Sequence, residues 1–337
     1  MHNQKKFQID PKSVSFNAYL LLKELQSRKI KIEPIGDTAV FLLKKGARSE
    51  LLYDTYSSTS PYCQCWIIND KQYSKKYLEE KGVPVSPGDF FIIGNIQKAI
   101  NIASNIKYPV VLKPTSCSHG TDVYTEITSE NELVEKIKFL LQKYSEFSNF
   151  VIEKHIPGRE FRIFIAKDGY FAAVERIPAN VVGDGKTSIL MLIQRENIIR
   201  MNPRKNCLCE IRLDDITFDY MEKHNITLDY IPKKGERVFV LGNSNVSTGG
   251  NCYDVTDKSH ISFRKMAKNI LNLFPGVPYL GIDLICQDLS ENMSNQNYII
   301  CELNTSPGFS LHMMPERGKC RDVAKVVANY IFPNHAE

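Results

Sequence analysis

Three side chains with oxygen donors lie in two strand-like runs towards the C-terminal end of the chain. Asp283 lies within residues 279–286, and Glu302 and Asn304 lie within residues 298–304. Glu302 and Asn304 are two residues apart, so they share one face if their run forms a strand. An antiparallel pairing of the two runs has one register that brings Asp283 to the same point.

The chemistry predicted for these three residues is that of a hard metal ion. Magnesium prefers carboxylate and amide oxygens, and it usually completes its shell with water and substrate phosphates. Taken singly, Asp283 fits an ordinary strand-end residue and Glu302 an ordinary surface charge. Flanked by isoleucine and leucine and followed by Pro307 and Gly308, the three together predict a magnesium site. The connecting residues 287–297 exceed a tight turn, so the register stays open.

A second candidate site begins at Lys113, in the buried-type strand predicted over residues 108–114. The loop that follows, residues 115–122, is rich in serine and threonine and contains Ser118 and Gly120. A lysine charge beside hydroxyl and backbone donors suits a phosphate group. The chain has neither GxxxxGK[ST] nor a GxGxxG after a strand, which excludes a P-loop NTPase. By itself, Lys113 also fits an ordinary strand-end charge.

Glu153 and Glu160 lie on either side of the Pro157-Gly158 pair. If this segment faces a purine, backbone groups of residues 154–156 meet the base edge, and Glu160 accepts hydrogen bonds from the ribose. The alternative is that both residues are solvated charges at strand ends.

Two arginines, Arg162 and Arg176, lie on the arms of a hairpin predicted around the Asp168-Gly169 turn signal. Arginines that point inward here are suited to clamp a phosphate or a carboxylate. Arginines that point outward would lie along the surface with their charges in water. The sequence leaves both orientations open.

Composition places the chain among ordinary globular proteins. It has 337 residues, of which 43% are hydrophobic and 24% charged, with a net charge of +5. This mild excess of positive charge fits an anionic substrate, and no lysine–arginine run is dense enough to predict nucleic-acid binding. We see no secretory leader and no membrane-spanning run, so a cytoplasmic location without membrane contact is expected.

The nine cysteines include two CxC pairs, Cys63–Cys65 and Cys207–Cys209. An odd number of cysteines without a leader predicts free thiols in a reducing compartment. A zinc site is the alternative, but zinc ligands are usually spaced as CxxC, and no histidine pair accompanies these cysteines.

Hydrophobic periodicity predicts seven helices and a set of strands between them. The helices are predicted over residues 16–29, 71–81, 96–104, 129–144, 188–199, 261–274 and 321–330. Residues 200–238 are predicted to be a polar, irregular excursion. The first 68 residues predict a small α+β unit in which no residue suggests chemistry.

Five segments, in this order along the chain, resemble the ATP-grasp ligases, in the subgroup that contains cyanophycin synthetase and bifunctional glutathione synthetase. They are residues 108–114, 151–162, 174–186, 245–250 and 301–308. The most specific are Ala-Asn-Val-Val-Gly-Asp-Gly-Lys at 179–186 and Asn-Val-Ser-Thr-Gly-Gly at 245–250.

The resemblance covers residues 69–330 and implies an α+β ATP-grasp fold, in which two α+β subdomains clasp the nucleotide. The expected domains are a small N-terminal α+β domain at 1–68, the small ATP-grasp subdomain with the lysine strand and flap at 69–156, and the C-terminal subdomain with the metal hairpin at 157–337.

The resemblance also implies roles for single residues. The nucleotide-binding set is Lys71, Lys113, Ser118 in the flap, Glu153, His155, Ile156 and Glu160. The metal ligands are Asp283, Glu302 and Asn304, for magnesium or alternatively manganese. The acyl-phosphate and acceptor side is formed by Asn180, Lys186, Ser247, Thr248, Gly249, Gly250, Ser306 and Gly308.

Three departures from the family pattern accompany the resemblance. The flap has one glycine, Gly120, where relatives have more. Gly281 stands where the dipeptide-ligase branch has an arginine, so stabilising the tetrahedral intermediate is expected to pass to Arg162 or Arg176, as the catalytic residues. Leu241 stands where close relatives often have an arginine, which argues against a peptide substrate identical to theirs.

The implied reaction is ATP-dependent amide or peptide bond formation between a carboxylate and an amine, through an acyl phosphate, with ADP and phosphate as products. The oxyanion would be stabilised by an arginine or by the backbone N–H groups of residues 248–250. The substrates are expected to be amino acids, short peptides or other small molecules, and a homodimer is one expected assembly. Two alternatives remain open: a small-molecule kinase on the same fold, and a nucleotide-binding module without turnover.

Overall fold

A computed structural model describes residues 9, 13–115, 122–201 and 208–333 of the chain. Its helices are α1 (Phe16–Ser27), α2 (Tyr62–Asn69), α3 (Lys71–Glu80), α4 (Ile96–Ile106), α5 (Glu130–Leu140), α6 (Ile189–Arg200), α7 (Asp215–Lys223), α8 (Ile261–Asn272), α9 (Phe309–Met313) and α10 (Val323–Ile331). Its strands are β1 (Lys31–Pro34), β2 (Val40–Lys45), β3 (Arg48–Tyr53), β4 (Gly88–Ile92), β5 (Val110–Pro114), β6 (Tyr124–Ile127), β7 (Asn149–Lys154), β8 (Arg159–Ala166), β9 (Phe171–Ile177), β10 (Asn180–Val182), β11 (Arg237–Phe239), β12 (Asn251–Asp254), β13 (Tyr279–Cys286) and β14 (Tyr298–Asn304).

The central sheet has five antiparallel strands in the order β12-β9-β8-β13-β14. One face is apolar, and residues such as Ile163, Leu280 and Leu303 pack there against Phe263 and Ile270 of α8. The opposite face carries charged side chains on neighbouring strands. Because side chains alternate along a strand, one set of residues builds the core while the other is free to form a site.

A four-stranded sheet in the order β4-β7-β5-β6 holds the lysine strand β5. Its core contains Leu112 and Ile152, covered by Ala99 of α4 and Ile137 of α5. The side chain of Ser129 begins α5 by accepting a hydrogen bond from the Glu132 backbone amide at 3.3 Å.

The N-terminal strands β1, β2 and β3 form a three-stranded meander that packs with α1. Buried leucines of α1 share a core with α10, including Leu22 and Val327. Helices α2 and α3 pack instead with the apolar face of the five-stranded sheet, through Ile68 and Leu78. The expected domain boundaries stay predictions.

The α+β class and the β13–β14 hairpin are confirmed. Periodicity did not find the short elements β3, β4, β10, β12, α2 and α9. The prediction for residues 200–238 was wrong in part, because this range contains α7 and the start of β11, which pairs with β10. Buried Met221 and Val238 pack there with α6.

The zinc alternative receives no support from the described part of the chain. Cys63 is exposed while Cys65 is buried, and Cys207 lies outside the described residues. No group of three or more histidine, cysteine, aspartate or glutamate side chains within the described ranges could hold a metal. None of the helices described is long and apolar enough to cross a membrane.

Candidate active site

Asp283 lies at the centre of a charged row on the five-stranded sheet. It is directly opposite Arg162 in the β8–β13 ladder, and Arg162 Nη1 lies 2.5 Å from Asp283 Oδ1. Arg176 Nη2 lies 3.3 Å from the other carboxylate oxygen and 3.1 Å from Glu160 Oε2. Burial alone would raise the pKa of Asp283, but the charges of both arginines outweigh it and hold that pKa below its usual range. The inward orientation of the arginines is therefore the one observed.

The other two oxygen donors lie on the same face, because the strands pair in the required register. Glu302 is directly opposite Asp283, and Asn304 is opposite Gly281. Glu302 and Asn304 are partly exposed, and no hydrogen bond or ion pair to a described residue engages their side chains. Two carboxylates and an amide oxygen are hard donors that fit magnesium. Glu302 and Asn304 are open towards a ligand, whereas Asp283 is shared with the arginines.

A buried triad of charges lies on the four-stranded sheet and α3. Glu153 on β7 accepts from Lys113 Nζ at 2.5 Å and from Lys75 Nζ at 3.1 Å. Lys75 was missed by the sequence reasoning, although it lies four residues after Lys71 and therefore on the same face of α3. Burial would raise the pKa of Glu153, but the charges of Lys113 and Lys75 lower it. The pKa of Lys113 is raised, since Glu153 outweighs its burial.

The acid stability of the fold is expected to depend on Glu153. A carboxylate with a lowered folded-state pKa stabilises the fold fully above its unfolded pKa of about 4.3 and loses this contribution as pH falls through the folded value. In urea titrations between pH 2 and pH 7, we expect Glu153→Gln to flatten the fall in unfolding free energy below about pH 4.3. A Glu135→Gln control, at a helix position with an exposed side chain, should keep the wild-type slope. Parallel slopes for all three proteins would contradict the assignment.

A cleft lies between the Lys75–Glu153–Lys113 triad and Glu302. Its polar lining is Lys71, Ser74, Lys75, Lys113, Glu153, Cys301 and Glu302, and side chains fill nearly all of it in this conformation. The Lys75–Glu153–Lys113 bridge crosses it, so the positive charges point into the same space as Glu302. Ser118, expected in the flap over this cleft, lies outside the described residues.

The hinge after β7 is only partly available to a ligand. The Lys154 amide donates to the Pro87 carbonyl at 2.7 Å, and the His155 amide donates to the Pro109 carbonyl at 3.1 Å. Because these two amides are bonded within the protein, the prediction that the backbone groups of residues 154–156 all face a base is corrected. Within the described ranges, the Ile156 amide makes no such bond. Burial lowers the pKa of the half-buried His155.

Glu160 is also engaged by the protein. Besides Arg176, it accepts a hydrogen bond from Ser244 Oγ at 2.5 Å. Its remaining accepting capacity is what a ribose hydroxyl could use.

The loop of residues 243–250 is folded on itself. The Thr248 and Gly250 amides donate to the Asn245 carbonyl, and the Gly249 amide donates to Val246. Of the two groups expected to stabilise an oxyanion, an arginine or these N–H groups, the arginine is favoured in this conformation, since all three amides are already bonded. Ser247 Oγ donates to Asn245 Oδ1 at 3.2 Å.

Arg200 holds this loop, and the sequence reasoning missed it. It is 3% exposed, and its guanidinium donates to the Gly249 carbonyl at 2.8 Å and to Asn251 Oδ1 at 3.1 Å. Asn180 also donates to Asn251 Oδ1, at 3.2 Å. Asn180 and the glycine loop are thus brought together, whereas Lys186 is exposed in the turn capped by Asp184.

Ser306 and Gly308 follow β14 and contact the N-terminal unit. Ser306 Oγ donates to Asp54 Oδ2 at 2.6 Å, and Thr55 Oγ1 donates to Ser306 at 2.8 Å. Gly308 precedes α9, and the Phe309 amide donates to Asn17 Oδ1 at 2.9 Å. The first 68 residues, in which no residue suggested chemistry, therefore contact the loop that follows the oxygen donors.

Because Gly281 has no side chain, the guanidinium of Arg162 can lie close to its backbone. A Cβ at this position would lie 2.7 Å from Pro307 Cβ and 3.1 Å from both Nε and Nη2 of Arg162. A guanidinium from the neighbouring strand therefore fills the place next to Asp283 that a side chain at 281 would take.

The variant Gly281→Ala is expected to lower the free energy of unfolding by about 1–3 kcal/mol, because the added methyl group overlaps Pro307 and the guanidinium. Urea denaturation measures the change. Gly308→Ala is the matched control, since its added Cβ makes only ordinary contacts at 3.5 Å. Equal stability of both variants would show that the site accommodates the methyl group.

Known proteins resemble this chain in sequence and in fold. The family model described as "Carbamoyl-phosphate synthase L chain, ATP binding domain" matches residues 70–227. The chain is 30% identical over 321 residues to cyanophycin synthetase from Crocosphaera subtropica, covering 93% of this chain and 36% of that protein. It is 28% identical over 328 residues to the glutathione biosynthesis bifunctional protein of Pasteurella multocida, covering 95% of this chain and 43% of that protein.

A crystal structure of a bifunctional glutathione synthetase from Pasteurella multocida superimposes with a TM-score of 0.66 at 26% identity, covering 95% of this chain and 44% of that one. The chain thus spans a little over a third of the length of the cyanophycin synthetases it matches.

Proposed function

Because the chain belongs to the ATP-grasp superfamily of ligases, we propose that it is an ATP-dependent carboxylate–amine ligase. A substrate carboxylate attacks the γ-phosphate of ATP, which gives an acyl phosphate and ADP. An amine then displaces phosphate and leaves an amide. The observation that carries the proposal is that Glu302, Asn304 and Asp283 share a sheet face beside a cleft lined by three lysines.

The nucleotide is proposed to bind in this cleft. Lys71, Lys75 and Lys113 supply positive charge for the triphosphate, and phosphoryl transfer depends mainly on such positioning and neutralisation. The Ile156 amide is the donor left for the base, and Glu160 is the acceptor proposed for the ribose. Glu302 and Asn304, with Asp283 beside them, are the proposed holders of a divalent ion, magnesium or alternatively manganese. Such an ion neutralises charge on the ATP phosphates.

The acyl side of the site is proposed to be served by Arg162 and Arg176. The Arg162 side chain is buried and that of Arg176 is 12% exposed, and each Nε has no hydrogen-bond partner among the described residues. Because an unpaired buried donor is costly, a substrate anion that accepts from these nitrogens is favoured. Fixed guanidinium donors also stabilise an oxyanion without reorganising during the reaction. This supports the arginines over the loop amides, which are already bonded.

The substrates are proposed to be amino acids or short peptides and a small amine. Support comes from the relatives, whose names describe the synthesis of cyanophycin and of glutathione. Gly281 and Leu241 stand where other members of the family have an arginine, so the substrates are proposed to differ from theirs in detail.

The test is a screen with ATP, magnesium and pairs of amino acids and amines, in which ADP and new products are followed by mass spectrometry. A ligase forms ADP only when a suitable carboxylate is present, and an amide appears when the amine is added. A stable phosphorylated product without any need for an amine would indicate a kinase instead. Absence of ADP in every mixture, from a protein that binds ATP, would indicate a binding module.

A further inference from the structure

A hydrogen-bond network joins the N-terminal unit, the α2–α3 junction and the loop after β14. Its centre is Asn69, whose Oδ1 accepts from the Thr305 amide at 3.2 Å and the Thr305 hydroxyl at 2.9 Å. Asn69 Nδ2 donates to the Tyr56 hydroxyl at 2.8 Å, and this hydroxyl lies 3.0 Å from Thr305 Oγ1. The three side chains form a closed triangle whose members come from three separate parts of the chain.

Two members of this triangle, Thr305 and Asn69, are next in sequence to parts of the candidate site. Thr305 directly follows Asn304, the last of the oxygen donors. Asn69 directly precedes Asp70, whose side chain caps α3 and so sets the start of the helix that carries Lys71 and Lys75. One amide side chain therefore links the oxygen donors of β14 to the lysines of α3.

A second set of bonds holds the same loop from the N-terminal side. Ser306 donates to Asp54, and the fully buried Thr55 donates to Ser306. The Thr55 carbonyl accepts from the Tyr279 hydroxyl at 3.0 Å, at the first residue of β13. The N-terminal unit is thus bound to both strands of the metal hairpin, next to the residues proposed for acyl transfer.

We propose that Asn69, held by Tyr56, is a positioning residue that keeps residues 304–308 aligned with the lysines of α3. The inference rests on the ligase function proposed above. An acyl phosphate must stay close to the amine and away from water, and a displacement of about 1 Å lowers rates about 100-fold. When the alignment loosens, water attacks the acyl phosphate, regenerates the carboxylate and releases phosphate. ATP is then consumed without an amide.

The experiment measures ADP and amide in the same reaction for wild type, Asn69→Leu and Asn69→Asp. Asn69→Leu removes all three bonds of the amide, so amide formation is expected to fall about 10- to 100-fold. ADP formed per amide should rise from one to several, while the KM for ATP changes less than twofold. In Asn69→Asp, one oxygen keeps accepting from Thr305 and the other accepts from the Tyr56 hydroxyl, so coupling near the wild-type ratio is expected.

The matched control is Asn101→Leu, on an exposed position of α4, which should leave rate and ratio unchanged. If Asn69→Leu does not fold, Tyr56→Phe removes a single hydroxyl and is expected to raise the same ratio. A wild-type ratio in the folded leucine or phenylalanine variant would overturn the inference, as would equal losses in Asn69→Asp and Asn69→Leu. Failure of the ligase proposal is separate, because wild type itself would then form no amide with any pair of substrates.

Discussion

Replacing Glu302 by glutamine is expected to reduce ATP-dependent amide formation by more than about 100-fold. Removing a group that only hydrogen-bonds to a metal ligand already lowers metal affinity or activity about 10- to 100-fold, so removing a ligand itself should have a larger effect. Glu302 is the carboxylate of the proposed set that makes no ion pair with a described residue, whereas Asp283 is paired with two arginines. The shape of the side chain is retained in the variant, so the change is in charge.

The measurement is the initial rate of ADP formation at several magnesium concentrations, with the half-saturating concentration expected to rise. Glu291→Gln is the control, because Glu291 is exposed in the connection between β13 and β14 and should give wild-type rates. A thermal melt establishes that both variants fold. Wild-type turnover by Glu302→Gln would show that Glu302 is not a metal ligand and would contradict the proposed ion site.

Local pattern was enough to predict most of the elements that build this site. Alternating and β-branched residues marked β13 and β14, and the polar connection marked their hairpin. The register was not predictable, because residues 287–297 allow several pairings and a bulge follows Asp283. The structure decides it by placing Asp283 opposite both Glu302 and Arg162, where burial of the carboxylate is compensated by charge.

The residues that were missed act through contacts distant in sequence. Lys75 meets Glu153 across 78 positions, and Asn69 meets Thr305 across 236. On a helix, a lysine that follows another by four residues also fits a solvated face, so Lys75 carried no distinct signal. Arg200 was missed for another reason: its partners are mainly backbone carbonyls, which no sequence pattern marks.

Replacing Arg162 by methionine is expected to destabilise the protein and to abolish ligation. The arginine and Asp283 form a buried pair, and its loss leaves the carboxylate with only the Arg176 contact at 3.3 Å, so the cost should approach about 3 kcal/mol, the lower end for a broken buried pair. The rate of amide formation should fall by about 100- to 1,000-fold, the cost of losing one preorganised oxyanion donor. Arg162→Lys keeps the charge but not the planar fork, so most of the stability but little of the activity should remain. The control is Arg159→Met on the same strand, whose side chain is 44% exposed; its loss should cost no more than about 1 kcal/mol.

The double variant Arg162→Met, Asp283→Asn separates the structural role of Arg162 from its catalytic one. With both charges removed, no buried carboxylate depends on Arg176 alone, so the free energy of unfolding should recover part of the loss seen in Arg162→Met. Ligation should stay absent, because the guanidinium is still missing beside the acyl site and Asp283, one of the proposed metal holders, is replaced. Urea denaturation and product formation, measured on the same four proteins of the cycle, give the two readouts. If activity returned together with stability, Arg162 would serve only to neutralise Asp283, and the oxyanion would have to be stabilised by Arg176.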